Sequence, residues 1–387
     1  MSANKKIAKF FTSKLDWLIS FAVQRYVMEK EVSKIMRVSN ISNQKQPMED
    51  EWTRKWKQLS SHVNRKFYRT FSRYIGHDIN IVPDDICHNV IEPILNPKRY
   101  ISAFEDKCLF DKMLWSSFGK NVTPYTFIRN IAGAYYDVNY NPIASVDEII
   151  KSIPADIDKL IIKKSIDSSS GRDIVFIQRD MTGTFVDVQN GEVFSGLYLN
   201  KYFRGNFVVQ KVMAQSSFMS HFCKTSVNTI RIAVYRSVKT NKPSVINAII
   251  RIGKDGSLVD NAHAGGMFVG VDKKGILGKY CCNQYGEKES LFNGIDFGNS
   301  EFQIPNYDKV KQFAENIATA LPHQRLLALD VMLDEDNNPV LLEYNIRAFS
   351  VWLFQFTNGT GFGEYTDEII EYCKNNMSEK TRISVIF

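Results

Sequence analysis

Cysteine is scarce and scattered in this 387-residue chain. The six residues, Cys87, Cys108, Cys223, Cys281, Cys282 and Cys373, form no C-x-x-C pair, which removes the usual spacing of a zinc or dithiol site and fits reduced thiols in a cytosolic protein. Long apolar runs are missing as well. No window reaches the ~18 to 20 uncharged apolar residues that a spanning helix needs. The run at 15–23 is interrupted by Asp16 and lacks a small-residue cleavage site, so no signal peptide is expected. Gly/Ser linkers, internal repeats and a Walker A loop are also absent. What remains is a globular composition, 44% apolar and 24% charged with 26 Phe and 17 Tyr, rich enough to bury cores in two or three domains.

Charge is unevenly spread. Residues 1–74 hold 16 Lys and Arg against 6 Asp and Glu, a net +10, whereas the other 313 hold 33 against 36. The basic character therefore belongs to an N-terminal region, and nucleic-acid binding by the whole chain loses support. Within that region Ile7, Phe11, Leu15, Leu18 and Ala22 recur at helical steps, as do Trp52, Trp56, Leu59, Val63 and Phe67. Two basic amphipathic helical regions are expected, joined by a polar loop over 39–51 that contains Pro47. Lys5, Lys6, Lys9 and Lys14 beside Phe10, Phe11 and Trp17 suit docking on an anionic membrane face. The competing reading, a helix packed on its own domain, is the better supported.

Beyond residue 80 the pattern becomes mixed. A helix is expected over 105–118, followed by β-prone runs at 122–128, 160–164, 174–178, 207–213, 229–237 and 245–252, a helix over 307–321, and two runs at 326–333 and 340–346. The last two flank Asp334-Glu335-Asp336-Asn337-Asn338, a polar hairpin turn.

That hairpin carries the first chemistry. Glu343 and Asn345 lie two apart on one strand and so share a face, and an antiparallel partner brings Asp330 beside them. Two carboxylates and an amide oxygen suit Mg²⁺ bound together with nucleotide phosphates. The alternative is an ordinary polar hairpin, but these acids sit inside apolar runs, where unpaired charge is costly. Upstream, the run LIIKKSIDSSSGRDI delivers Lys163 and Lys164 to a small-residue loop at 167–172. Small residues let backbone N–H groups close on phosphate oxygens, and lysine adds a point charge. Arg347, two residues past Asn345, shares its face and suits a phosphoryl group or a substrate carboxylate.

The segments EDKCLF, KKSIDSSSGR, VVQKVM, SVNTIRI, VDNAHAGGMFVGVD and LALDVML...LLEYN, in that order, resemble the ATP-grasp superfamily. In particular they resemble the sugar-transfer-associated ATP-grasp proteins found with bacterial polysaccharide genes, over about residues 90–365. The resemblance implies an α+β chain in which two subdomains clasp ATP, preceded by an N-terminal helical region. It implies a basic helical region at 1–80, a small α/β subdomain at 81–155 and an ATP-grasp domain at 156–387, with a phosphate-loop lid at 156–215 and a metal and acceptor part at 216–387.

By the same resemblance, Lys164 precedes the phosphate loop, with Lys163 as the other register, and Ser168, Ser169 and Ser170 stand where the family usually has glycine and serine. Gln210 faces the adenine amino group, with the Lys211 and Met213 backbones at the base edge. Lys107, with Lys112 as runner-up, is the upstream phosphate-binding residue. Arg231 is aimed at the transferred phosphoryl group, and Asn228, His263, Gly265 and Gly266 fall near the acceptor. The implied activity is ATP- and Mg²⁺-dependent carboxylate–amine ligation through an acyl phosphate, modifying a sugar acid or amino-acid substituent in bacterial surface polysaccharide biosynthesis. The implied location is cytoplasmic, with peripheral contact at the inner membrane face. The alternatives are phosphoryl transfer to a sugar hydroxyl and a nucleotide-binding scaffold without turnover.

Overall fold

The computed structural model describes residues 3–119, 122–166 and 174–379, with the side chains of 3–17, 20 and 21 excepted. The chain divides into two compact units, one of residues 1–102, 218–331 and 344–387 and the other of 103–217 and 332–343. Residues 81–102 thus fall in the first unit and 103–155 in the second, and the finer boundaries expected at 80 and 155 stay a proposal.

The first unit begins with helices α1 (Ala3–Val38), α2 (Glu49–Trp56) and α3 (Arg65–Ile75). The single helical period expected from Trp52 to Phe67 is broken after Trp56. The Ser60 hydroxyl donates to the His62 carbonyl at 2.7 Å and the Asn64 side chain accepts from Lys66 N at 3.1 Å, so a local turn and a new N-cap replace the helix. Leu59 and Val63 are still buried. The Trp52 and Trp56 indoles are fully buried and donate to the carbonyls of Ile81 and Ile79 at 2.7 and 3.2 Å. With Phe67, Tyr68 and Phe71 they join one core with Phe268, Phe349, Phe354 and Phe356, so this part of the N-terminal region is packed on its own domain.

A seven-stranded sheet runs in the order β11-β10-β9-β8-β7-β14-β15 and forms the body of the first unit, except that residues 332–343 of the β14–β15 hairpin are counted in the second. Its strands are β7 (Thr229–Arg236), β8 (Pro243–Ile252), β9 (Met267–Val271), β10 (Leu277–Cys282), β11 (Lys288–Glu289), β14 (Leu326–Leu333) and β15 (Pro339–Asn345). The helices Tyr307–Ala320 and Val351–Thr357 pack on β8. The expected hairpin is present: Asp334 accepts from the N–H groups of Asp336 and Asn338 at 3.0 and 2.7 Å, and Asn337 takes the left-handed conformation at φ 61.

In the second unit six antiparallel strands run in the order β2-β1-β6-β3-β4-β5. They are β1 (Thr126–Ile131), β2 (Ala134–Tyr136), β3 (Lys159–Lys164), β4 (Ile174–Arg179), β5 (Phe185–Asp187) and β6 (Phe207–Lys211). One face buries Leu160, Ile162, Phe207 and Val209 in a core with Tyr198 and Leu199. The helix Lys107–Phe118, capped by Asp106 accepting from Cys108 N at 2.9 Å, packs on β1 and β6.

Candidate functional site

Antiparallel pairing sets the polar face of the larger sheet. Arg231 on β7 lies opposite Asp330 on β14, and Thr229 lies opposite Arg251 on β8, so Arg231, Arg251, Thr229 and Asp330 project to one side. Arg231 grips Asp330 with two bonds, Nε to Oδ1 and Nη2 to Oδ2, both 2.9 Å, the forked match of a guanidinium to a carboxylate. Arg251 reaches Asp330 Oδ2 at 3.3 Å and Asp260 Oδ1 at 2.6 Å, and Asp260 also receives the Thr229 hydroxyl. Burial works to raise the Asp330 carboxyl, but Arg231 and then Arg251 hold it below the usual carboxylate range. Burial prevails at Asp260 and raises it against the pull of Arg251. Asn345 completes the group, its Nδ2 3.4 Å from Asp330 Oδ2.

Two residues fix the ends of the β14–β15 pair. Asn96 donates to the carbonyls of Leu326 and Ile346 at 2.6 and 2.8 Å. Glu92 accepts from the N–H groups of Ala348 and Phe349, both at 2.9 Å, and so holds the segment that carries Arg347 in a conformation with positive φ at Ala348 and Ser350. Arg347 itself is exposed. Asn228 is fully buried, its amide donating to the carbonyls of Met219 and Cys223 and accepting from Gly253 N. Its bonds hold backbone, so any effect on an acceptor runs through the segments it ties. His263 is exposed, with Nδ1 on Gln284 Oε1. Gly265 has φ +87, and a Cβ on Gly266 would meet three carbonyl oxygens at 2.8 to 2.9 Å, so both positions require glycine.

Within the second unit Lys107 and Glu343 form a 2.7 Å ion pair, and the Lys107 N–H donates to the Ser165 carbonyl at the end of β3. Lys112 is exposed, its ammonium 5.5 Å from the centroid of the Tyr140 ring. The structure therefore places Lys107, and not the runner-up, on an acid of the hairpin. Gln210 is buried, its Nε2 donating to Thr126 Oγ1 at 3.1 Å. The Lys211 N–H is taken by the Tyr125 carbonyl at 2.9 Å, and Met213 lies just past β6, half-buried. Ser168, Ser169 and Ser170 lie outside the described residues.

The β3–β6 register separates the two lysines. Ile161 lies opposite Gln210 and Lys163 opposite Val208, whereas Lys164 lies opposite Phe207. Directly opposed residues share a face, so Lys163 is on the Gln210 side and Lys164 on the side of the Leu160–Ile162–Phe207 core.

Among the described residues no three His, Cys, Asp or Glu side chains gather as a metal cluster. The hairpin's donors are two carboxylates and one amide, which fits a hard oxygen-seeking ion. Each acid now rests against a protein cation, Asp330 on Arg231 and Glu343 on Lys107, so both positions accept positive charge.

The profile of the family described as sugar-transfer associated ATP-grasp matches residues 88–370. No curated protein matches the chain. Among solved structures, N5-carboxyaminoimidazole ribonucleotide synthetase from Thermotoga maritima is 8% identical over 70% of this chain and 50% of its own, with a TM-score of 0.37. The ATP-grasp ligase PsnB, complexed with a minimal precursor variant, Mg and ADP, is 13% identical over 72% and 61%, with a TM-score of 0.38. The D-alanine-D-alanine ligase from Coxiella burnetii is 10% identical over 73% and 60%, also at 0.38. The chain spans 50% to 61% of the length of these three structures.

Proposed function

The chain belongs to the sugar-transfer associated ATP-grasp family and has its α+β ATP-grasp fold with an N-terminal helical region, and from that premise we propose that it is an ATP-dependent carboxylate–amine ligase. The observation that carries the reading is the polar sheet face on which Arg231 and Arg251 are held by Asp330 beside Asn345. Such a face supports the reading because two fixed guanidinium groups can offset phosphoryl charge.

In the proposed reaction a carboxylate oxygen attacks the γ-phosphorus of ATP, the bond to ADP breaks, and an acyl phosphate forms. An amine nitrogen then attacks the acyl carbon, inorganic phosphate leaves, and the amine's proton passes to solvent. Arg231 and Arg251 orient the transferred phosphoryl group and Arg347 the substrate carboxylate. The residues that would hold Mg²⁺ are Asp330, Glu343 and Asn345, and the ion when bound offsets charge on the ATP phosphates. Lys107, Gln210 and one lysine at the end of β3 are assigned to ATP, with Lys211 and Met213 at the base edge through their backbones. Asn228 and His263 are assigned to the acceptor side.

The acceptor class proposed is a sugar acid or an amino-acid substituent of a bacterial surface polysaccharide. Phosphate release is expected only when MgATP, a carboxylate and an amine are all present, with an amide in the product by mass spectrometry. A stable phosphoester instead would assign a sugar hydroxyl as acceptor, and no ATP consumption across a broad panel would leave a nucleotide-binding scaffold.

Peripheral contact with an anionic membrane is part of the same proposal. Among the described residues no helix is long and apolar enough to cross a membrane. The side chains of Lys5, Lys6, Lys9, Phe10, Phe11, Lys14 and Trp17 lie outside the described ones. Ile19, Val23 and Tyr26 on α1 are 56% to 60% exposed and three to four residues apart, which places them on one stripe. Deleting residues 1–74 would remove the buried Trp52 and Trp56, so the test uses Ile19→Glu with Val23→Glu. Wild type is expected to sediment with anionic vesicles at low salt and the variant to stay in solution. Equal partitioning of the two removes the membrane role.

A further inference from the structure

Hydrogen-bond accounting in the smaller sheet gives the Gln210 side chain a direction. Thr126 on β1 lies opposite Gln210 on β6, and a register shift between Thr126 and Ile128 puts Arg129 opposite Val208. The irregularity brings Thr126 and Arg129, three residues apart, to the same face of the sheet. There Asp111, from the helix Lys107–Phe118, receives Thr126 Oγ1 at 3.1 Å on Oδ2, Thr123 Oγ1 at 2.5 Å on Oδ1, and the Arg129 guanidinium. Arg129 also donates to the Asp137 carbonyl at 2.6 Å and lies 4.2 Å from the Tyr140 ring centroid. Asp111, Thr126 and Arg129 are 2%, 1% and 0% exposed.

Only one proton arrangement satisfies these groups. A carboxylate in an ion pair with arginine only accepts, so the single Thr126 proton is donated to Asp111. The hydroxyl has only lone pairs left for Gln210, and the amide must meet it with Nε2, as the 3.1 Å bond has it. Gln210 Oε1 then faces away, and it carries no bond among the described residues. Reversing the amide would set two acceptors together in a buried place, at a cost of about 1 to 3 kcal/mol.

We infer that Thr126 and Asp111, backed by Arg129, are positioning residues that lock Gln210 as a hydrogen-bond acceptor and thereby select a nucleotide base bearing an amino group over one bearing a keto oxygen at the same position. The inference rests on the ligase reading, which puts the base at Gln210. A free glutamine offers either end and distinguishes the two bases poorly; a glutamine whose nitrogen is tied down does not. The determinant therefore sits one and two bonds behind the residue that touches the base.

The test is calorimetric titration of full-length protein with MgATP and with magnesium inosine triphosphate, in which a keto oxygen replaces the 6-amino group. Wild type is expected to bind MgATP roughly tenfold or more tightly than the inosine nucleotide. Thr126→Val keeps the shape, removes the hydroxyl and lets Gln210 turn, so the ratio should fall to within about threefold of unity. Thr126→Ser should keep the wild-type ratio, a rescue that loss of packing would not give. Where Thr126→Val does not fold, Thr126→Ala serves, because it too removes the hydroxyl that ties down Nε2 and should bring the ratio to within about threefold of unity. A folded Thr126→Val with the wild-type ratio overturns the inference and leaves the ligase reading intact. Wild type that binds neither nucleotide overturns both.

Discussion

Asp330→Ala is expected to abolish ATP turnover and to lower the melting temperature by on the order of 10 °C, whereas Glu343→Gln abolishes turnover and leaves the melting temperature within about 3 °C of wild type. The two acids differ in what they leave behind. Removing Asp330 strips Arg231 of both its 2.9 Å bonds and Arg251 of one of two acids, in a place where these side chains are 9% to 17% exposed. Breaking a buried ion pair from one side costs about 3 to 5 kcal/mol, and each kcal/mol moves the melting point of a body this size by about 2 to 4 °C. Glu343 is 32% exposed and pairs with one lysine, so its amide replacement costs little.

Turnover falls for a common reason, because an oxygen cage for Mg²⁺ that loses a carboxylate forfeits several kcal/mol of charge stabilisation, about a thousandfold or more in rate. Phosphate release and thermal melting on both variants make the comparison. A folded Glu343→Gln enzyme with near-normal turnover sinks the metal assignment, and an Asp330→Ala protein as stable as wild type sinks the account of Asp330 as counter-ion to two arginines.

The principal strands were legible because their apolar content is local. Runs at 160–164, 174–178, 229–237 and 245–252 reappear as β3, β4, β7 and β8 within two residues of the expected ends. Short strands such as β2 and β5, three residues each, are too brief for alternation to register. The acids of the hairpin were legible as charges inside apolar runs, and the same signal is present at Arg251, near the end of the apolar run VINAIIRI. Glu92, Asp260 and Asp111 carried no comparable signal. Their partners are 257, 31 and 18 residues away in the chain, and only tertiary pairing reveals them. The break after Trp56 was hidden for another reason: Leu59 and Val63 are buried as a helical period requires, but from a turn whose side chains satisfy the backbone locally.

Register is the clearest case of information that local pattern does not hold, and under the proposed ATP site it favours Lys163 over Lys164 as the lysine on the phosphates. From the sequence Lys164 is the lysine before the loop, and alternation alone says only that Lys163 and Lys164 face opposite ways. Which face meets the nucleotide depends on how β3 pairs with β6, 43 to 51 residues distant. The five consecutive partners from Leu160↔Lys211 to Lys164↔Phe207 run without a shift, so Lys163 shares the face of Gln210 while Lys164 shares that of Leu160 and Ile162, both fully buried in the core. If Gln210 reads the base, Lys163 is the residue whose ammonium lies on the nucleotide's side. Lys163→Ala is therefore expected to weaken MgATP binding by roughly tenfold or more, since a charge-assisted contact to phosphate contributes about 1.5 to 3 kcal/mol and ~1.4 kcal/mol is a decade. Lys164→Ala is expected to change it by about threefold at most. Calorimetry on the two variants decides between them. A larger loss for Lys164→Ala would mean that the nucleotide lies on the core side of the strand end, and Gln210 would then have to be withdrawn from the base together with Lys163 from the phosphates.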